Sequence, residues 1–336
     1  MNIKKRIALA MLCIMVIIPQ TGCSSEEPVS KTEFYLNTMC TISIYNMKKT
    51  EAEDLIKKGF DQCSKSENMF SKTIKGSDVE KINKAKGRPV SVNKETLEVV
   101  KRGIEYGKLS GGMFDITIGA VSQLWDFNGD NPKVPSKKDI KRALKTVDYN
   151  KIQIVGDKVS LKNPKAQMDL GAIAKGYIAD EVTRVLKAGG AKQAIVNLGG
   201  NIVAIGEKDK GIPWNIGIER PYSQKTKVIG SVDVTDQTIV TSGIYERKFI
   251  QNGKLYHHVL SPKTGYPVET GLEAVTVKMD MGKSMDCDAF STMCLLLGEK
   301  KARGLIEERD GVEGIFIDKN DRVTTTKGIQ VNPAKE

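Results

Sequence analysis

Apolar residues recur along this chain in two spacings, and the change from one to the other marks its elements. Between residues 51 and 70, Ala52, Leu55, Ile56, Phe60 and Cys63 fall three to four apart, which is the period of one helical face. Residues 31–46 alternate instead, with Phe34, Thr41, Ile42 and Ile44 among strand-favouring types, and predict a strand. Ser77-Asp78-Val79-Glu80 caps a short helix ending near Asn83, and residues 93–109 form a longer one before Gly111-Gly112. Residues 112–127 read as a loop into a compact apolar turn, 137–145 as a helix and 152–161 as a hairpin closed near Gly156-Asp157. Further on, the pattern predicts a helix from 174 to about 187 and a buried strand over 194–196. Strands follow over 214–219, 228–234, 238–241, 249–250 and 272–279, then helices over 285–297 and 300–309 and a hairpin around 318–321. Hairpins mixed with single helices predict an α+β fold rather than a doubly wound parallel sheet.

The first residues add a targeting signal. Lys4, Lys5 and Arg6 precede an apolar run over 7–18, and a small-residue stretch ends in Thr21-Gly22-Cys23. The run is short for a bilayer span, which takes roughly 20 residues, and it sits where a signal peptide belongs. Residues 1–22 are therefore read as a lipoprotein signal peptide cleaved before Cys23. Lipid on that thiol would hold the protein on the cell membrane, facing outside the cytoplasm, with residues 23–31 as a polar tether. Net charge is +11. The lysines are dispersed and no recognised nucleic-acid module is present, so acidic membrane surfaces and anionic ligands are better partners than nucleic acid. Outside the signal and Cys23 the cysteines are Cys40, Cys63, Cys287 and Cys294, without zinc spacing. Cys287 and Cys294 are seven apart and share one helical face, so they are expected to be buried, and no disulfide is expected.

Candidate chemistry concentrates in a few segments. Residues 168–180, MDLGAIAKGYIAD, read as a phosphate cradle: Gly171 and Ala172 leave room for close approach, a helix starting at Ala174 offers free amides to an anion, and Lys175 adds a point charge. The spacing is not that of a P-loop. A plain turn into a helix is the other reading of the same residues. In the helix MDCDAFSTMCLLLG, Asp288 and Thr292 are four apart, so a carboxylate and a hydroxyl can converge on one hard cation. Oxygen ligands without imidazole favour Mg²⁺; helix capping by Asp288 is the alternative. Asp115 and Thr117 lie in a glycine-flanked aromatic loop, and 197–201 is a glycine-rich strand end. Residues 241–247, TSGIYER, add hydroxyls and an arginine. His257 and His258, the chain's two histidines, precede the turn Ser261-Pro262-Lys263-Thr264-Gly265-Tyr266-Pro267; in a strand, at most one of them can enter a given site.

Taken in order, these segments resemble the FAD:protein FMN transferase (ApbE flavin transferase) family, across nearly all of the exported chain. The Gly112-Met113-Phe114-Asp115 loop before Leu124-Trp125, the Asp-Leu-Gly-Ala-Ile-Ala-Lys-Gly loop, Asn197-Leu198-Gly199-Gly200, Ser242-Gly243-Ile244-Tyr245-Glu246-Arg247, the histidine turn and Asp288-Ala289-Phe290-Ser291-Thr292 all have counterparts there. Met39-Cys40-Thr41 and residues 77–83 stand for two weaker elements. Ser261 replaces an aspartate of the family pattern, and Cys40 a glycine that lines the flavin site. The resemblance implies a flavin transferase domain over 32–330, in two intertwined mixed α/β parts with the FAD site in the cleft between them. It implies Mg²⁺-dependent transfer of FMN from FAD, the substrate, to a threonine or serine of an exported redox protein, with release of AMP. Hydrolysis of FAD to FMN and AMP, or FAD binding without catalysis by a lipoprotein, are the alternatives. Asp288, Thr292 and the Ala172 carbonyl would hold the metal, and Lys175 would sit by the pyrophosphate. His258 would contact the transferred phosphate or manage the acceptor proton, leaving His257 at the surface or facing a partner. Met39, Asn83, Asp115, Asn197, Thr241, Ser242 and Gly243 would contact the flavin or the adenosine half.

Overall fold

A computed structural model describes residues 27–223 and 227–334. The signal segment and Cys23 lie outside the described residues. The first half of the chain forms β1 (Val29–Tyr35), β2 (Thr38–Ile44), α1 (Lys49–Phe70), α2 (Asp78–Lys84), β3 (Val90–Ser91), α3 (Lys94–Leu109), α4 (Gly119–Trp125), α5 (Lys137–Leu144), β4 (Ile152–Val155) and β5 (Lys158–Leu161). The rest forms α6 (Ala174–Ala188), β6 (Ala194–Leu198), β7 (Asn201–Ile205), β8 (Trp214–Glu219), β9 (Val228–Val234), β10 (Gln237–Gly243), β11 (Lys248–Gln251), β12 (Lys254–His257) and β13 (Leu272–Asp280). After these come α7 (Ser284–Leu297), α8 (Glu299–Glu307), β14 (Glu313–Asp318), β15 (Val323–Thr325) and β16 (Asn332–Pro333).

An eight-stranded sheet, ordered β1-β2-β6-β7-β10-β13-β14-β15, divides the molecule, and each neighbouring pair in it is antiparallel. The fold is α+β, as the element pattern predicts. Strands in the middle of the sheet are apolar at consecutive positions because both faces are covered. Val240, Val275, Val277 and Phe316 point to the side packed by α1, α6 and α7. Their neighbours Ile239, Ala274, Ile315 and Ile317 point to the side covered by the small sheet β16-β9-β8, where Trp214, Ile218 and Val232 meet them. Burying each large side chain contributes roughly 1.5–3 kcal/mol. A third cluster gathers α4, α5 and the β11–β12 hairpin around Trp125. The Trp125 ring stacks on Phe127 at 5.7 Å, and its Nε1 donates to Gly265 O at 2.9 Å. Ser261 caps that turn, its Oγ accepting from Lys263 N at 3.2 Å and Thr264 N at 3.4 Å. A hydroxyl therefore does there what the aspartate of the family pattern would do.

The structure corrects the expected elements in three places. The strand read over 31–46 is two strands, reversed at Leu36 and Asn37, whose φ values of 56° and 57° make a two-residue hairpin turn. Alternation does not reveal the reversal because the same period continues on both sides of it. β1 also begins at Val29, inside the stretch read as a tether. Within 112–127, the segment read as a loop, residues Gly119–Trp125 are helical; Val121 and Trp125, four apart and buried, were the helical signal. The four described cysteines are buried free thiols, Cys287 and Cys294 among them as expected. Cys40 has ordinary strand geometry, pairing with Leu198 in the core.

Candidate active site

The 168–180 segment acquires its shape from both ends. Asp169 N donates to Ile116 O at 2.8 Å, and Asp169 Oδ1 accepts from Gly171 N at 3.0 Å, turning the chain before α6. At Gly176 the helix meets α7 so closely that a Cβ would lie 2.1 Å from Ser284 O and 2.8 Å from Asp288 Cβ. Glycine is therefore what admits α7. The two helices then exchange carboxylates: Gly176 N donates to Asp288 Oδ2 at 3.0 Å, and Asp180 accepts from Ser284 N at 2.9 Å and Met285 N at 3.0 Å. Each acid satisfies amides in the first turn of the other helix, where the helix dipole favours negative charge. The α6 amide at Gly176 that was expected to await an external anion is thus held by Asp288.

Beside this junction lies a cavity of about 390 Å³, within the range of ligand pockets. Ala172, Lys175, Asp288, Thr292, His258, Asn83, Asp115, Ser242 and Gly243 all line it, from segments far apart in sequence. Asp288 is 2% exposed, and among the described residues no basic side chain forms an ion pair with it. Burial raises its pKa, while the Lys175 charge and the Gly176 amide oppose the rise. The buried amide of Asn201, whose two polar atoms have no hydrogen-bond partner among the described residues, also pulls it down. Thr292 Oγ1 lies 3.2 Å from Ser242 Oγ, which is 2.7 Å from Ser291 Oγ. Lys175 Nζ has Gly199 O at 3.4 Å and faces the cavity. Among the described residues no group of three His, Cys, Asp or Glu side chains could hold a metal. A cation here would rest on oxygens: the Asp288 carboxylate, the Thr292 hydroxyl and the Ala172 carbonyl. A buried carboxylate without a counter-ion, beside hydroxyls on a cavity wall, fits that donor set.

The two histidines part as strand geometry requires. His258 lines the cavity, and its Nδ1 lies 3.3 Å from Arg247 O. A carbonyl only accepts, so Nδ1 carries the proton and Nε2 keeps its lone pair. Desolvation, reinforced by Arg247 and His257, pushes the His258 pKa well below its ordinary value, so the ring is neutral at pH 7. Its ring is only half-buried by surface area, because the open side faces the cavity. His257 corrects its expected surface position: it is 5% exposed, holds Val268 O at 3.1 Å through Nε2 and has a pKa lowered by burial to about 4.

Three residues expected to contact the ligand are not among those that line this cavity. Met39 is 53% exposed on the β1–β2 hairpin, opposite Phe34. Asn197 turns inward on its own loop, its Oδ1 accepting from Gly200 N at 3.1 Å. Thr241 bonds Thr276 Oγ1 at 2.8 Å across to β13; Ser242, the next residue of the strand, takes the other face and reaches the cavity. Asn83 and Asp115 line the cavity as builders of its wall. Asn83 clamps the backbone of Met168 through both ends of its amide, at 3.0 and 2.6 Å. Asp115 accepts from Thr117 N, Thr117 Oγ1 and Tyr149 N, and burial nevertheless raises its pKa. Sequence reading overlooked Lys72, Ser122 and Asp169, which share one corner of the cavity. Asp169 could have been singled out, since an aspartate two residues before a glycine is a turn signal.

These features describe an antiparallel α+β protein with a cavity whose oxygen-rich and cationic walls suit a phosphorylated ligand. The chain belongs to the ApbE family, whose profile matches residues 36–316. It is 32% identical to a FAD:protein FMN transferase of Treponema pallidum, over 95% of this chain and 92% of that protein. A FAD:protein FMN transferase of Klebsiella pneumoniae is 34% identical, over 80% of this chain and 83% of its own. Among solved structures, the ApbE protein of Thermotoga maritima superposes with a TM-score of 0.82 at 28% identity, covering 90% of this chain and 98% of that one. The flavin transferase ApbE of Vibrio cholerae gives 0.78 at 26% identity, over 89% and 96%.

Proposed function

We propose that this protein binds FAD, breaks its pyrophosphate and transfers FMN to a threonine or serine hydroxyl of an acceptor protein, with AMP as the leaving group. The observation that carries the reading is the convergence of Asp288 and Thr292 on α7, Ala172 and Lys175 before and within α6, and His258 on one cavity. Family membership and the names of the relatives point the same way. The barrier to this reaction is electrostatic and orientational: an alcohol must approach an anionic phosphorus in line with the departing oxygen. Lys175 offsets part of the diphosphate charge. Asp288, Thr292 and the Ala172 carbonyl would hold Mg²⁺, which when bound neutralises phosphate oxygens and polarises them. His258, neutral and with Nε2 free of hydrogen-bond partners among the described residues, accepts the hydroxyl proton as the oxygen–phosphorus bond forms. The phosphorus–oxygen bond to AMP then breaks, and AMP leaves with that electron pair.

Incubation of the purified protein with FAD, Mg²⁺ and a flavoprotein acceptor should give fluorescent flavin on the acceptor in a denaturing gel. AMP release with no label would convert the reading to a FAD pyrophosphatase, and neither product would refute it. The acceptor is proposed to be an exported redox protein, because residues 1–23 read as a lipoprotein signal with anchorage at Cys23 on the outer face of the cell membrane. Labelling of growing cells with radioactive palmitate should mark the wild type and not Cys23→Ser; equal labelling of both would remove the anchor from the proposal.

A further inference from the structure

One cation in the cavity wall is engaged by the protein itself. Lys72 Nζ lies 2.6 Å from Asp169 Oδ2 and 3.0 Å from Ser122 Oγ, and Ser122 Oγ is 2.9 Å from the same carboxylate oxygen. All three residues line the cavity, and the Lys72 and Asp169 side chains keep 33% and 20% of their exposure. The lysine is held at its base as well, because Ser71 Oγ accepts from Thr73 N at 3.2 Å and Ile74 N at 3.1 Å. Asp169 in turn cannot leave without loosening the turn ahead of α6, since its other oxygen holds Gly171 N. Lys175 Nζ, by contrast, has a single hydrogen bond among the described residues, a long one to Gly199 O.

A fixed carboxylate in the wall of a cavity that receives a diphosphate is an electrostatic conflict, because like charges repel over several ångströms in a partly buried site. We propose that Lys72 is a positioning residue that cancels this conflict: it neutralises Asp169, so that the carboxylate can brace the Gly171–Ala172 turn without repelling an anionic ligand. The inference rests on reading the cavity as a FAD site. Burial alone would raise the Asp169 pKa, yet the Lys72 charge and the bonds from Lys72, Gly171 and Ser122 hold it below its ordinary value, so the carboxylate stays ionised beside the lysine. Lys72 thus acts on the ligand through Asp169, while Lys175 acts on it directly.

The test is a titration with FAD, followed by quenching of flavin fluorescence in metal-free buffer, on wild type, Lys72→Met, Lys72→Arg and Lys72→Met/Asp169→Asn. Thermal melts check that each is folded. Lys72→Met should weaken FAD binding about tenfold, the size of one exposed unit charge at short range. Lys72→Arg should stay near wild type. The double variant should regain most of the lost affinity, because a neutral amide can still accept from Gly171 N and repels nothing; a merely structural pair would leave it as weak as the single variant. Unchanged binding by Lys72→Met, or a double variant no better than it, overturns the inference while leaving the FAD reading intact. A wild type that binds FAD neither in that buffer nor with Mg²⁺ added overturns that reading and the inference together.

Discussion

Two glycine-rich segments, 168–180 and 197–201, invite the same interpretation as places where a ligand approaches the backbone, and the fold treats them oppositely. In the first, the glycine that matters is Gly176, at ordinary helical geometry, and what approaches it is another helix of the same chain. In the second, Gly199 and Gly200 have φ values of 61° and 89° and serve the reversal from β6 to β7, closed by Asn197. A glycine kept for space brings α7 and its Asp288 to the cavity. Gly199 and Gly200 are kept for φ, Gly199 also for the room that Thr38 of β2 takes, and together they turn a hairpin. The contrast teaches that glycine content alone does not locate a site; the element that crosses at the glycine does.

The largest expected effect that would sharpen this contrast is on transfer. Asp288→Ala should lower the rate about a thousandfold, while circular dichroism and melting show an intact fold. Asn197→Ala should leave the rate within about twofold, its role being confined to a turn hydrogen bond. Equal losses in the two would break the comparison. Next in size, Gly176→Ala should destabilise the protein by about 3 kcal/mol in urea unfolding, because the new methyl meets backbone rather than a flexible side chain. Gly200→Ala should cost less, about 1–2 kcal/mol, since its strain is conformational and the added Cβ meets only Thr241 O at 3.4 Å. The reverse order would show that the helix junction relaxes more easily than the turn. The smallest effect is the stability loss of Asn197→Ala, about 1 kcal/mol, read as a shift in urea midpoint without a change in FAD affinity.

Much of this arrangement was legible in the amino-acid order. The apolar face of α1 and the four-residue spacing of Asp288 and Thr292 follow from helical geometry, and that geometry is local. The assignment of one histidine to the site also followed from strand alternation, although the burial of His257 against Val268 depends on a partner eleven residues away. What stayed hidden was relational. Lys72 sits in no periodic pattern, and its partner Asp169 is 97 residues distant. Met39 and Thr241 occupy positions that the family pattern favours, but the face that each presents is fixed by hairpin register and strand pairing. The reversal at Leu36 and Asn37 was hidden by the unbroken alternation around it; Asn37 alone is a turn-type residue, and its partner in left-handed backbone is a leucine.

The exchange of carboxylates between α6 and α7 also governs when the site comes into being during folding. Its three hydrogen bonds join residues 104, 105 and 112 positions apart, and contacts of such separation bear a large loop-closure entropy before they are rewarded. Neither helix start has its carboxylate partner until the other has arrived. A chain still emerging, or one that has lost its C-terminal third, carries the cavity-facing turn without the acid that caps it.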